Sequence, residues 1–404
     1  MKFSDQKDDA RRSLYFLNVP NTVIDSKKIN NFDKKKNTPT LKITNMKNNS
    51  LFHLLKKIGI LCSILGFSSC TPDKPACEAP LTKGLMTNKM RGMSVVAAVS
   101  PIAGTPVQNL QEIGVNWIAA LPYSFYEANN PNIDSVSVCP LPNCPHGPSA
   151  KYAVIELIQK SKLEGVKVML KPQLWSATEW IGAMEFDSEA KWDQFERNYT
   201  ELILEWAQIA ENMDVDLFCV GTEITEFVIH RPNYWSNLIV QIRQIYSGPL
   251  TYASNWDDYQ AVSFWDELDY IGVDAYFPLM PDKTPLVCEL ITAWEPYEQE
   301  LSAYAAQQNK PILFTEFGYL SVNGCAYNTW ELEDGMGDNE INEEAQANAL
   351  HALVEVFGPK SWWAGGFQWK WYADAISASC EESLAKDYTP EGKMASDMLK
   401  KLYE

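Results

Sequence analysis

LFCVGTE at positions 217–223 and PILFTE at 311–316 decide how this chain folds, because each is a short apolar run closed by a glutamate, Glu223 and Glu316. A parallel strand buried on both faces reads as a continuous apolar run, so a carboxylate at its end emerges at the strand's C-terminal edge. In a barrel enzyme that edge carries the catalytic groups. A single strand-end glutamate is as readily an ordinary surface charge, and the rest of the chain has to decide between the two.

Working outward, short apolar runs alternate with amphipathic stretches from about residue 91 onward, the βα pattern of a parallel sheet. Eight strands are predicted: 92–98, 115–121, 166–172, 216–222, 249–255, 268–276, 311–316 and 364–371. Between them AKYAVIELIQKSKLEG, EAKWDQFERNYTELILEWAQIAENM and EEAQANALHALVEVFG repeat apolar residues every three or four positions, and GKMASDMLKKLYE closes the chain as a last helix. The expected fold class is α/β, a single (β/α)8 TIM barrel over residues 91–404. A doubly wound open sheet is the competitor, but no glycine-rich phosphate turn follows the first strand.

On that count Glu223 follows strand four and Glu316 follows strand seven. Two carboxylates at a barrel mouth are the equipment for cleaving a glycosidic bond. Glu226 is a rival to Glu223, but it falls in the loop or first helical turn rather than at the end of the run.

Neighbouring residues complete a cleft. Tyr276, at the end of strand six, is placed to hydrogen-bond Glu316, an interaction that favours the charged carboxylate. Lys171 and Gln173 after strand three offer donors to sugar hydroxyls, and Lys171 adds positive potential near the two acids. Trp369 on strand eight suits a sugar-binding floor, with Trp371 as its alternative or as core. Asn255, Trp256 and Trp175 are cleft-wall candidates. Of the 14 tryptophans, Trp192 and Trp206 fall on amphipathic helices and read as core.

The stretches VMLKPQLW, FCVGTE, DYIGVDAYFP, PILFTEFGY and GGFQWKWY together resemble the clan A glycoside hydrolases, and most closely glycoside hydrolase family 113, the β-mannanases. The resemblance runs over about residues 91–404. It implies that Glu223 is the acid/base and Glu316 the nucleophile of a retaining, endo-type enzyme on β-1,4-mannan or manno-oligosaccharides, with no metal or organic cofactor. The same mechanism on xylan, galactan or glucan, or a non-catalytic glycan-binding surface lipoprotein, are the alternatives. Many clan A members carry Asn before the acid/base, where this chain has Thr222.

Composition narrows the partners. The chain has 34 Lys and Arg against 52 Asp and Glu, a net charge of −18, without a basic stripe interleaved with aromatics. Nucleic acid is excluded as a natural partner. Thirteen of the basic residues but five of the acidic ones precede Cys70, so the remainder is near −26. Such a surface favours a neutral substrate over a polyanionic one, and with the family resemblance this implies a neutral β-linked polysaccharide or oligosaccharide as the partner.

The N-terminal region reads separately. Residues 1–45 are polar and aperiodic, a disordered leader or a mis-called start. From Met46 a basic stretch leads into the apolar IGILCSILGF and then SSC ending at Cys70. Residues 46–70 resemble a bacterial lipoprotein signal, although Phe67 stands where such signals usually carry Leu, and a plain secretory signal is the alternative. The resemblance implies export, a lipid on Cys70 and anchoring in the cell envelope at the outer membrane; ten apolar residues are too few to span a bilayer. Residues 71–90 are expected to be a tether.

Nine cysteines fit an exported chain. Cys219 reads as a buried hydrophobe, while Cys77, Cys139, Cys144, Cys288, Cys325 and Cys380 can be oxidised after export. Cys139 and Cys144 flank a Pro-rich loop that a short disulfide would close. A zinc site there with His146 has no matching ligand spacing.

Overall fold

The computed structural model describes residues 79–96, 102, 106–134, 151–176, 179–334, 338–373 and 381–404. The leader, the signal-like segment with Cys70, and the Cys139–Cys144 loop with His146 lie outside the described residues.

Eight parallel strands close into a barrel, as expected. They are β1 (Met90–Val96), β2 (Trp117–Ala120), β5 (Lys167–Leu170), β7 (Leu217–Thr222), β8 (Leu250–Asn255), β9 (Ile271–Asp274), β10 (Ile312–Phe317) and β11 (Trp363–Tyr372). Around the ring each strand pairs with its sequence neighbour in the barrel, and β11 closes on β1. Three short strands, β3 (Tyr123–Tyr126), β4 (Ile133–Asp134) and β6 (Gln173–Trp175), form a second sheet that was not expected. Since β3 follows β2, and β6 follows β5, within a few residues, this sheet extends the C-terminal end of the barrel.

The barrel is solid. Trp117, Ala119, Leu121, Met169, Leu217, Cys219, Ala253, Leu313 and Phe367 fill its interior, and along β2 and β7 they are alternate residues, as the pleat requires. The intervening residues, such as Ile118, Val168, Phe218 and Val220, face the helices in a larger core. The helix Glu189–Asn212 shows why its sequence folds this way, since Trp192, Phe195, Tyr199, Ile203, Trp206 and Ala210 recur at three- and four-residue steps and are all buried. No helix among the described residues is long and apolar enough to cross a membrane.

The tether assignment needs correction where residues 71–90 are described. Residues 79–89 pack against the domain: Met86 is buried, the Thr82 amide donates to Glu355, and Lys89 reaches the carbonyls of Lys360 and Trp363. Met90 already belongs to β1. The stretch lacks periodicity because isolated contacts, rather than a regular face, hold it.

Behind the tip of β7 the packing leaves no space for a side chain at Gly221, where a Cβ would lie 2.7 Å from the Tyr199 hydroxyl and 2.9–3.0 Å from the Trp235 and Tyr252 rings. Gly221→Ala is therefore expected to destabilise the fold by ~1–3 kcal/mol through overpacking. Urea denaturation followed by tryptophan fluorescence measures it.

Candidate active site

β10 delivers Glu316 through an irregularity. On its pairing with β9, Phe314 aligns with Val273 and Glu316 with Asp274, so two steps on β10 match one on β9. Such an extra residue re-aims side chains. Both Thr315 and Glu316 consequently reach the same polar cluster: the Thr315 hydroxyl donates to Asp274 Oδ1 at 2.7 Å, and Glu316 bonds to Lys171.

Lys171 is fully buried. Its ammonium lies 3.3–3.4 Å from the two oxygens of Asp274 and contacts Glu316 Oε1 directly. Gln173 Nε2 donates to the same Glu316 oxygen at 2.8 Å, and the Tyr276 hydroxyl donates to Oε2 at 2.8 Å. Both oxygens of Glu316 are thus fixed by donors from three different elements. Burial pulls the Lys171 ammonium down, but Asp274 and Glu316 more than offset this and hold it above its ordinary value. Asp274 is pushed up to about 7, first by burial and then by the charge of Glu316, with Lys171 and Thr315 opposing.

Glu223 is presented differently. It stands just beyond β7 in the left-handed region, with φ of 53°. A non-glycine residue there is uncommon and needs support from its surroundings. Support comes from the Glu223 amide donating to the Ala253 carbonyl at 2.8 Å and the Ile224 amide donating to the Tyr252 hydroxyl at 2.9 Å. The indole Nε1–H of Trp180 donates to Glu223 Oε2 at 3.4 Å. Burial, followed by the charges of Asp274 and Glu316, pushes the Glu223 carboxyl up to about 8.

The two glutamates therefore occupy one electrostatic site with unequal surroundings. Glu316 has a buried cation and two further donors; Glu223 has one weak donor and two nearby negative charges. Unequal environments are what separate a proton-carrying acid from a nucleophile in a carboxylate pair.

Glu226 is not part of this pair. It turns to the surface and meets His230 at 2.9 Å. With Glu185 these two residues bring ligand atoms within 4.8 Å of one another, the group among the described residues that could hold a metal ion.

The aromatic candidates divide. Trp369 is half-buried at the end of the interior core, with the Lys370 ammonium 5.5 Å from its ring centroid, and the Trp369–Lys370 peptide is cis. Trp371 is buried in the core facing the helices, so it is not a sugar platform. The ring of Trp256 stacks on exposed Trp330, centroids 6.0 Å apart, and packs against Phe277. Trp175 meets Phe125 edge-on at 5.6 Å within the added sheet. Asn255 spends its side chain locally: its amide donates to Asp257 and its oxygen accepts from the Trp256 amide, which shapes the loop. Cys219, under Lys171, is a free thiol that burial pushes up to about 12, as befits an inert residue.

Sequence reasoning passed over Asp274, Thr315, Tyr123, Tyr252 and Trp180. Asp274 had a visible signal, since it interrupts the apolar run IGVDAY. Tyr123 comes close enough that the charge of Glu316, after burial, helps to keep its phenol protonated. Nothing in the sequence marked Trp180, which acts from a loop.

The family model for Glycoside Hydrolase Family 113 matches residues 100–393. The chain belongs to glycoside hydrolase family 113. It is a glycoside hydrolase with a closed (β/α)8 barrel. Among solved structures it is similar to the GH113 β-mannanase AaManA from Alicyclobacillus acidocaldarius in complex with ManMIm, with TM-score 0.64 and 22% identity over 78% of this chain and 97% of that one. A complex structure of a GH113 β-1,4-mannanase matches with TM-score 0.64 and 23% identity, covering 78% and 99%. A β-D-glucuronidase from Dictyoglomus thermophilum is more distant, at TM-score 0.52 and 16% identity over 78% of this chain and 50% of that one. At such identities the likeness is one of fold. No curated protein matches the chain.

Two stability measurements test the electrostatics. Lys171→Met leaves buried carboxylates unpaired and is expected to cost ~3–5 kcal/mol at neutral pH. The deficit should shrink as the pH falls and the orphaned acids protonate, which urea melts across pH 4–8 will show. Glu223→Gln should act in the opposite sense. A carboxyl raised in the folded state favours folding below its unfolded value near 4.3, and that contribution is lost as pH rises through about 8. The variant should match the wild type at pH 4 and exceed it by at least ~1 kcal/mol at pH 9.

Proposed function

We propose that this family 113 enzyme cleaves β-1,4-mannan or manno-oligosaccharides with retention, using Glu223 as acid/base and Glu316 as nucleophile. The observation that carries the reading is the asymmetry between the two glutamates: a carboxyl raised to about 8 beside a carboxylate clamped by Lys171, Gln173 and Tyr276. In the first step Glu316 attacks the anomeric carbon while Glu223 gives its proton to the departing glycosidic oxygen. Water then attacks the glycosyl-enzyme, Glu223 takes a proton from it, and Glu316 leaves.

Tyr276 and Gln173 bond the attacking carboxylate and define its trajectory. Lys171 offsets charge that moves on and off Glu316. Half-buried Trp369 fits a floor for the sugar at the cleavage point, and the stacked Trp256–Trp330 pair offers an apolar wall for a further sugar. Mannan as the polymer is supported by the family and by the activity named for the two similar β-mannanases. The acidic chain also suits a neutral glycan.

The reading includes export and lipid anchoring through Cys70. Its support is the signal-like segment at 46–70 and a disulfide-bonded Cys288, a modification that persists in oxidising compartments. Cys325, by contrast, is a buried free thiol.

Glu316→Ala is expected to abolish hydrolysis of mannohexaose with the fold intact by circular dichroism. Glu223→Gln should lower kcat/KM by ~10²–10⁴-fold. For the wild type, the alkaline limb of kcat/KM should fall near pH 8, where Glu223 loses its proton. Proton NMR of the first-formed product should show the β-anomer. Full activity in Glu316→Ala, or an α-anomer as first product, refutes the assignment.

A further inference from the structure

Trp180 stands outside the strand-end machinery, on the loop that leads into the short 3-10 turn Ile181–Ala183. It is 49% exposed, an unusual position for an indole with no core to fill. Its side chain is nonetheless held in one place. A Cβ at Gly182 would lie 2.2–2.5 Å from three carbons of the Trp180 six-membered ring, so the ring lies directly on the Gly182 backbone. This seating aims Nε1–H at Oε2 of Glu223, at 3.4 Å. The glycine is there for the ring, since its own backbone is not in the left-handed region.

An indole N–H can donate but never accept. Oε2 of Glu223 is therefore the accepting oxygen, and because a carbonyl oxygen accepts better than a hydroxyl oxygen, the contact favours the acid form with its proton on Oε1. We propose that Trp180 is the positioning residue of the acid/base, pinning one oxygen of Glu223 so that the other delivers the proton to the leaving group. The inference rests on Glu223 being the acid/base.

The same contact changes strength during the reaction. As the glycosidic C–O bond breaks, the Oε1 proton passes to the departing oxygen, Glu316 bonds the anomeric carbon, and Glu223 is left as a carboxylate. The Trp180 hydrogen bond then becomes charge-assisted and stronger. An interaction that strengthens toward the transition state accelerates the step. Water restores the balance in the second half, returning a proton to Oε1 as its oxygen joins the sugar. Among the described residues, Trp180 bonds Glu223 and not Glu316, so its effect falls on the proton and not on the nucleophile.

Two independent variants test this, Trp180→Phe, which keeps a ring but removes the donor, and Gly182→Ala, which keeps the donor but unseats the ring. Infrared difference titration of the full chain, with the Glu223 band assigned by its loss in Glu223→Gln, should show Glu223 titrating at higher pH in both variants. The alkaline limb of kcat/KM should move up with it. Turnover of mannohexaose, whose sugar leaving group needs the proton, should fall about tenfold. The rate of the first step with a dinitrophenyl β-mannoside, whose leaving group needs none, should be spared. An unchanged Glu223 titration in both folded variants overturns the proposal, as does an equal loss on both substrates. A shifted titration in a protein that hydrolyses no β-glycan upholds the Trp180–Glu223 link and removes instead the reading of function.

Discussion

One buried ammonium governs the mouth of this barrel. Lys171 has no access to solvent and stands against two carboxylates, Asp274 and Glu316, so its single positive charge meets two negative ones. Leaving an ion of this kind unpaired in the interior is costly, and removing the cation would strand both acids. Burial first, and then the charges of Asp274 and Glu316, keep the proton on Glu223, with Lys171 opposing. Lys171 thus sets the surroundings of Glu316 directly, and those of Glu223 through the two carboxylates it holds beside it.

Backbone geometry converts that charge arrangement into a site. An extra residue on β10 lets adjacent side chains, Thr315 and Glu316, serve the same cluster, with Thr315 restraining Asp274 while Glu316 reaches the cleft. At β7 the corresponding device is the left-handed conformation of Glu223, fixed by the Ala253 carbonyl and the Tyr252 hydroxyl. Tyr252 belongs to the aromatic packing around Trp235 and Phe264, so Glu223 is tied to the core. Rigid support of this kind is what holds reacting groups in productive geometry.

Much of this was legible in the sequence because buried parallel strands announce themselves as apolar runs. Glu223 and Glu316 were found by position at the ends of such runs, and Tyr276, Lys171 and Gln173 by their places just after strands. What was hidden depends on geometry that periodicity does not carry. The β10 irregularity breaks the two-residue alternation that would otherwise send Thr315 and Glu316 to opposite faces. Asn255 and Trp371 looked like cleft residues because they end strands, yet a local turn claims the first and the helix-facing core claims the second. Trp180 could not be found from strand logic, since it reaches Glu223 from a loop far away in sequence.

The central claim is that Glu316 forms the covalent bond to the sugar. Mass spectrometry of the enzyme inactivated by 2-deoxy-2-fluoro-β-mannosyl fluoride, followed by peptide mapping, tests it most directly. The account predicts one fluorosugar per chain, attached to Glu316. A label on Glu223, or inactivation without any covalent sugar, would contradict it.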